Sequence, residues 1–316
     1  MSENFIIEFQ RSLRANLSFI FNKYEKNNNK IQTLINEVYE KSKNLIEKKN
    51  SKRKTHKIFS KSVLKIITEK KLLNFMRYGF IQQMFFIHNR IYLYHYLLEL
   101  KKSIKWKYWK KLIKENNVGS PIKYFLYPES SGNKIFQIYH LKKYEDFLKI
   151  NLKNIDQIIE FGGGYGNMAE TFKKINPKLD YTIFDTPEVN LLQYYYLKRL
   201  RLKVELNSHK HNNYIKLINS SSILKSKFAT IKKSKKKLFI ANWSLSETPL
   251  KFRDKFKFLI DNFDFQLISF QKEFEGINNL SFFQKLNKLN LSKNRISKIF
   301  PIKKMNEHFY FFSKKN

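Results

Sequence analysis

The chain has 316 residues, with 62 lysines and arginines against 26 aspartates and glutamates, a formal net charge of +36. That length holds one large domain, or a core domain with a smaller helical one. Cysteine is absent, which excludes disulfides and thiol catalysis and accords with an intracellular setting.

The charge invites a nucleic-acid or anionic-membrane partner. Lysines number 53 and arginines 9, however, and recognition of bases and phosphates favours the planar arginine fork. Asn, Ile, Phe and Tyr, all abundant here, share A/T-rich codons with Lys, so genome composition alone supplies much of the excess. Residues 151–200 carry six basic and six acidic side chains, leaving that block neutral between basic flanks. Nucleic acid is therefore not the favoured partner, while peripheral contact with an anionic membrane and homodimerisation both fit. The first ten residues carry two acids and no apolar core, so no signal peptide is expected. Residues 72–100 are interrupted by Arg77, His88, Arg90 and His95, too polar to span a bilayer, and a cytoplasmic location is expected.

Residues 1–115 read as helical, with no proline and no glycine before Gly79. They form an expected N-terminal helical domain, a cap or a dimerisation element, ahead of a second domain over 116–316. Lysine-rich residues 48–57 read as a linker. The longest periodic pattern covers 68–100, where Leu73, Met76, Phe80, Met84, Ile87, Ile91, Tyr94 and Leu98 make one stripe. Residues 101–114 interleave lysines with Trp106, Tyr108 and Trp109. Such a stretch can stack on bases or sit on a membrane surface. The plainer alternative, which is preferred, buries Ile104, Tyr108, Leu112 and the tryptophans and leaves the lysines solvated. Turn chemistry over 116–132 marks the domain boundary. A helix over 134–149 then places Phe136, His140, Tyr144 and Phe147 on one face.

The central signal lies in 157–188. Ile158, Ile159 and Phe161 lead into Gly162, Gly163, Gly164 and Gly166, followed by a helical pattern ending at Pro177 and a second apolar run ending on Asp185. This reads as strand, glycine turn, helix, strand, acid. Glycines at such a turn let the main chain approach a ligand, and the helix start offers N–H groups. An acid at the tip of the next strand suits a ribose diol. Glu160-x-Gly162-x-Gly164-x-Gly166 closely resembles the acidic-first motif of class I S-adenosylmethionine (SAM) methyltransferases. The rival dinucleotide fingerprint, Gly164-x-Gly166-x-x-Ala169, would run the strand through Gly162 and Gly163 and set a Glu160 carboxylate near a pyrophosphate.

Beyond Asp185, Pro187 opens a helix to about Leu200. Either 203–206 or, preferably, 214–219 is the third strand, with Ser220, Ser221 and Ser222 capping a helix from Ile223. Residues 231–237 read as a solvated loop and 238–241 as the fourth strand. Thr248 and Pro249 start another helix as N-cap and first position. Residues 265–270 make the fifth strand, 280–291 a short helix, and 295–302 with 307–313 two strand-like runs. Phe309 to Phe312 is continuously apolar, as a strand buried on both faces should be.

Over 117–283 the chain resembles the sugar O-methyltransferase family found with bacterial polysaccharide biosynthesis genes. The resemblance rests on V-G-S-P (118–121), Y-H-L-K-K-Y-E (139–145), E-F-G-G-G-Y-G, F-D-T-P-E-V, N-W-S-L-S-E (242–247) and F-Q-K-E-F-E-G-I-N-N (270–279). It implies a doubly wound Rossmann-like α/β sheet closed by an antiparallel hairpin. It also implies SAM as cofactor, held by Glu160, Gly162, Gly163, Gly164, Gly166 and Asp185, and a sugar, nucleotide-sugar or glycan acceptor. Residues after the fourth and fifth strands, Asn242, Ser244, Gln271, Asn278 and Asn279, are the expected acceptor contacts. Glu247 is the first candidate base, with capping before Pro249 as its bland alternative. His140 is the second candidate, because imidazole titrates near neutrality, against a packed role in an aromatic stripe. His209-x-His211 lacks a third ligand, so no metal is expected. The alternative functions are RNA methylation, suggested by the charge, and a non-catalytic binding protein on the same fold.

Overall fold

The computed structural model describes residues 24–46, 54–85, 90–208, 211, 213–229, 236–254 and 256–316. Expectations for the N-terminal residues before 24, for 48–53, for Ile87 and His88, for His209 and for 231–235 lie outside them. The described residues form two compact units, one from the chain up to 142 with 191–201, the other from 143–190 with 202–316.

In the first unit the helices are α1 (Asn29–Ile46), α2 (Lys54–Thr68), a 3-10 turn (Leu72–Arg77), α3 (Gly79–Met84), α4 (Leu93–Lys101) and α5 (Trp106–Ile113). A short antiparallel pair follows, β1 (Lys123–Tyr124) and β2 (Tyr127–Ser131), leading into α6 (Gly132–Leu148). Two expectations are corrected. The supposed linker already belongs to α2 from Lys54. The single helix over 68–100 is broken, because Asn74 leaves helical geometry (φ −117°, ψ 36°) and Tyr78 is extended (φ −76°, ψ 130°). The buried set is accordingly Leu72, Phe75, Met76, Ile81, Leu93, Tyr96, Leu97 and Leu100, while Ile91 and Tyr94 of the expected stripe are exposed. Tyr96 stacks on Tyr139 and Phe136, at 4.4 and 5.3 Å between ring centroids.

The second unit carries an eight-stranded sheet. Its strands are β3 (Gln157–Phe161), β4 (Asp180–Phe184), β5 (Val204–Leu206), β6 (Ile215–Ile218), β7 (Lys237–Asn242), β8 (Phe265–Gln271), β11 (Arg295–Pro301) and β12 (His308–Lys315). A small hairpin, β9 (Glu273–Phe274) and β10 (Ile277–Asn278), stands outside it. The sheet order is β11-β12-β8-β7-β3-β4-β6-β5. Six strands are parallel; β12 is antiparallel to both β8 and β11. Both candidate third strands are therefore real, β5 simply extending the sheet by one strand beyond β6. The expected helices become α7 (Asn167–Ile175), α8 (Pro187–Arg199), of which residues 191–199 belong to the first unit, α9 (Ser221–Ala229), α10 (Leu250–Asp254), α11 (Lys257–Asn262) and α12 (Asn279–Ser292).

Burial explains why β12 reads as an unbroken apolar run. Phe311 packs into the cluster formed by Ile159, Phe239, Ile268, Phe270 and Phe283, on one face. Tyr310 and Phe312 meet Phe300, and Phe312 also meets Tyr144 at 5.0 Å. Because β3, β4, β7 and β8 run parallel and in register, their C-terminal ends share one edge of the sheet, and the residues that follow them converge there.

Candidate active site at the strand tips

Strand β3 ends at Phe161, and the turn 162–166 delivers the chain into α7. Gly162, Gly164 and Gly166 take positive φ (71°, 56° and 100°), and Gly166 is the N-cap of α7. The first two glycines serve the protein itself. A Cβ at Gly162 would lie 2.2 Å from Ser244 Cβ, and one at Gly163 would lie 2.6 Å from Ile183 Cγ2. The turn is thus pressed onto β4 and the end of β7, and the Gly162 N–H donates to Phe184 O at 2.8 Å. Gly164 and Gly166, the other positive-φ glycines of the turn, carry the chain into α7.

The two acids divide in role. Glu160 is buried in β3 and accepts a hydrogen bond from the Tyr181 hydroxyl at 2.8 Å. Burial pushes its carboxyl up to about 8; the Tyr181 bond opposes this, and the Asp185 charge adds to it. Glu160 therefore holds its proton at neutral pH. Asp185 stands half-buried just past β4, its Oδ1 accepting from the Thr186 N–H at 2.8 Å and its own N–H donating to Ile218 O. The dinucleotide fingerprint does not fit the backbone, since β3 stops before Gly162 and the strand does not extend into the glycines.

Past β7 the chain turns sharply at Trp243, which takes a positive φ of 62°. Its N–H donates to Ser269 O at 2.7 Å, and its carbonyl accepts from the Ser246 hydroxyl at 2.6 Å and the Glu247 N–H at 3.2 Å. The Trp243 indole donates to His308 Nδ1 at 2.8 Å. An indole only donates, so Nδ1 is unprotonated and His308 is neutral with its proton on Nε2. Burial lowers its proton affinity in the same sense, against the opposing Glu307 charge. Neither Trp243 nor His308 was expected at the site, because their partnership joins residues 65 apart in sequence.

The expected acceptor contacts separate into two groups. Asn242 and Gln271 stay half-buried at their strand tips, Asn242 accepting from the Ser269 hydroxyl at 3.1 Å and Gln271 Oε1 lying 2.8 Å from the Ser246 hydroxyl. The other three serve the fold. Ser244 donates its hydroxyl to Phe161 O, Asn278 caps α12 by accepting from the Ser281 N–H at 2.9 Å, and buried Asn279 accepts from Arg253 Nη2 at 2.7 Å. Arg253, itself buried, also donates to the Ser246 and Thr248 carbonyls. Thr248 is not a side-chain cap: its hydroxyl donates backwards to Leu245 O at 2.7 Å.

Glu247 lies half-buried on the turn after β7, and burial with the Glu275 carboxylate raises its proton affinity. His140 does not meet the reason for its nomination. It is fully buried in α6 with its ring 4.2 Å from Phe136, and burial lowers it from 6.5 to about 3, so it stays neutral near pH 7. Among the described residues no group of His, Asp or Glu could hold a metal ion, and no helix is long and apolar enough to cross a membrane.

The strand order, with the antiparallel β12 inserted between the parallel β8 and the edge strand β11, defines a Rossmann-like methyltransferase fold. No family model matches the chain, and no curated protein matches it by sequence. Among solved structures it is similar to a Streptococcus mutans protein in complex with S-adenosylhomocysteine (16% identity, 56% of this chain and 97% of that one, TM-score 0.41). It is also similar to a SAM-dependent methyltransferase from Aquifex aeolicus (14% identity, 55% and 88%, TM-score 0.36). A third is mitomycin 7-O-methyltransferase (11% identity, 71% and 66%, TM-score 0.36). At such identities nothing about substrate follows.

Proposed function

We propose that the protein is a SAM-dependent O-methyltransferase acting on a sugar, nucleotide-sugar or glycan hydroxyl in polysaccharide biosynthesis. The observation that carries the reading is the arrangement at the strand tips: a half-buried Asp185 past β4, the left-handed turn Gly164–Gly166 at the head of α7, and Glu247 past β7. The donor set fits the cofactor. Asp185 suits a ribose diol, and a protonated Glu160 leaves the site with one formal charge there instead of two. When bound, SAM supplies a methyl group on a sulfonium, already a good leaving group, so the protein's work is alignment and proton removal. Glu247, its proton affinity raised by burial and by the Glu275 carboxylate, takes the acceptor's hydroxyl proton as the oxygen gains the methyl group. Asn242 and Gln271 supply the amide donors and acceptors that sugar hydroxyls require.

Calorimetry and product analysis test this. Asp185→Ala should weaken SAM binding by about 1–3 kcal/mol through loss of charge-assisted hydrogen bonds. Glu247→Gln should leave SAM affinity unchanged and cut turnover by roughly 10²–10⁴. Labelled SAM should mark a nucleotide-sugar or glycan pool; label appearing in RNA instead would replace the acceptor, and no SAM binding at all would leave a binding protein on this fold.

A further inference from the structure

The turn joining α4 to α5 carries the most exposed apolar side chain described in the molecule. Ile104 is 101% exposed, contrary to the plainer sequence reading that buried it. Lys101, Lys102 and Lys105 flank it in sequence, Lys107, Lys110, Lys111 and Lys114 follow, all are exposed, and no acid occurs between 101 and 114. Trp106 and Tyr108 lie half-buried at the base, while Trp109, Leu112 and Ile113 are buried anchors.

The turn is held, not slack. The Ser103 hydroxyl accepts from the Lys105 N–H at 3.2 Å and from the Trp109 indole at 3.3 Å, and the Trp106 N–H donates to Ser103 O at 2.8 Å. The nearest acids in sequence are engaged elsewhere. Glu99 faces His95 at 3.8 Å, and Glu115 is buried against the Ser131 hydroxyl. Glu129 accepts from Tyr127, whose ring lies under Lys101.

We propose that this turn is a docking surface for an anionic lipid bilayer, with Ile104 entering the headgroup–acyl boundary, Trp106 at the interface and the lysines against anionic headgroups. An exposed apolar tip among lysines has no function on a phosphate backbone. Base stacking would call for an exposed aromatic, whereas Trp109 is buried, Trp106 and Tyr108 are half-buried, and the exposed side chain, Ile104, is aliphatic and cannot stack. At a membrane the same residues satisfy both requirements of peripheral binding, apolar insertion and charge. The inference is independent of the methyltransferase reading.

The test is co-sedimentation of the full chain with vesicles of phosphatidylglycerol and phosphatidylcholine, against vesicles of phosphatidylcholine alone. Binding should require the anionic lipid and weaken with salt. Ile104→Ser should lose roughly tenfold in partitioning, the worth of one buried aliphatic side chain. Lys105→Gln with Lys107→Gln should lose about fivefold per charge. Both sites are exposed, so unchanged thermal melts would confirm intact folding. No vesicle binding, equal binding to both vesicle types, or wild-type partitioning by both variants would overturn the proposal. So would binding to an RNA homopolymer that exceeds vesicle binding and ignores Ile104→Ser.

Discussion

A methyl group added at Gly163 would meet Ile183 Cγ2 at 2.6 Å and Glu160 Oε2 at 3.0 Å, and one at Gly162 would meet Ser244 Cβ at 2.2 Å. The first contact is with a branched core side chain, which yields little; the second is with the Cβ of a residue whose hydroxyl is already committed to Phe161 O. Gly162→Ala should therefore destabilise the protein by about 1–3 kcal/mol from overpacking, with further cost from the positive φ of 71°. Chemical denaturation measures it, and pairing the change with Ser244→Gly should restore part of the loss while leaving the backbone cost in place. Position after the fourth and fifth strands, together with residue type, suggests that Ser244, Asn278 and Asn279 face a ligand. Each found a partner in the protein instead, and nothing local in the sequence announces a partner such as Arg253, 26 residues from Asn279.

At the scale of elements, the unit β3, turn, α7, β4 was legible because its signals are local: an apolar run, glycines where φ must be positive, and an acid at the following tip. The pattern over 68–100 misled because periodicity survives a kink. The chain leaves helical geometry at Asn74 and extends at Tyr78 without proline to mark it. Helix α12 begins at Asn279, one residue before the expected start, with Asn278 as its N-cap. Asn278→Ala should cost about 1 kcal/mol of stability and Asn278→Asp much less, as read from denaturation midpoints. A loss of acceptor affinity in Asn278→Ala with stability unchanged would return this residue to the binding surface.

For the molecule as a whole, two buried groups shape stability against pH from opposite sides. Glu160 is raised from 4.5 to about 8, so the native chain keeps a proton that the unfolded chain releases; its contribution is full below 4.5 and is lost as pH rises through about 8. His140 is lowered from 6.5 to about 3, so its contribution is full above 6.5 and is lost as pH falls toward 3. Each unmatched proton changes stability by about 1.4 kcal/mol per pH unit inside its window. Urea denaturation across pH should show Glu160→Gln alone changing the slope between about 6.5 and 8 and His140→Phe alone changing it between about 3 and 4.5, with both acting, in opposite senses, from 4.5 to 6.5.

The insertion of β12 between β8 and β11 carries a consequence for how the protein fails. Strand β8, Phe265–Gln271, is uncharged, free of proline and carries Phe265, Leu267, Ile268 and Phe270, a composition that stacks readily into intermolecular cross-β ladders. Its outer hydrogen-bonding edge is occupied by β12 from Phe265 to Gln271. A lesion that frees β12 would expose a sticky template while most of the domain is still folded. Damage there should lead to precipitation before denaturation, with the surplus of lysines acting as the main electrostatic brake.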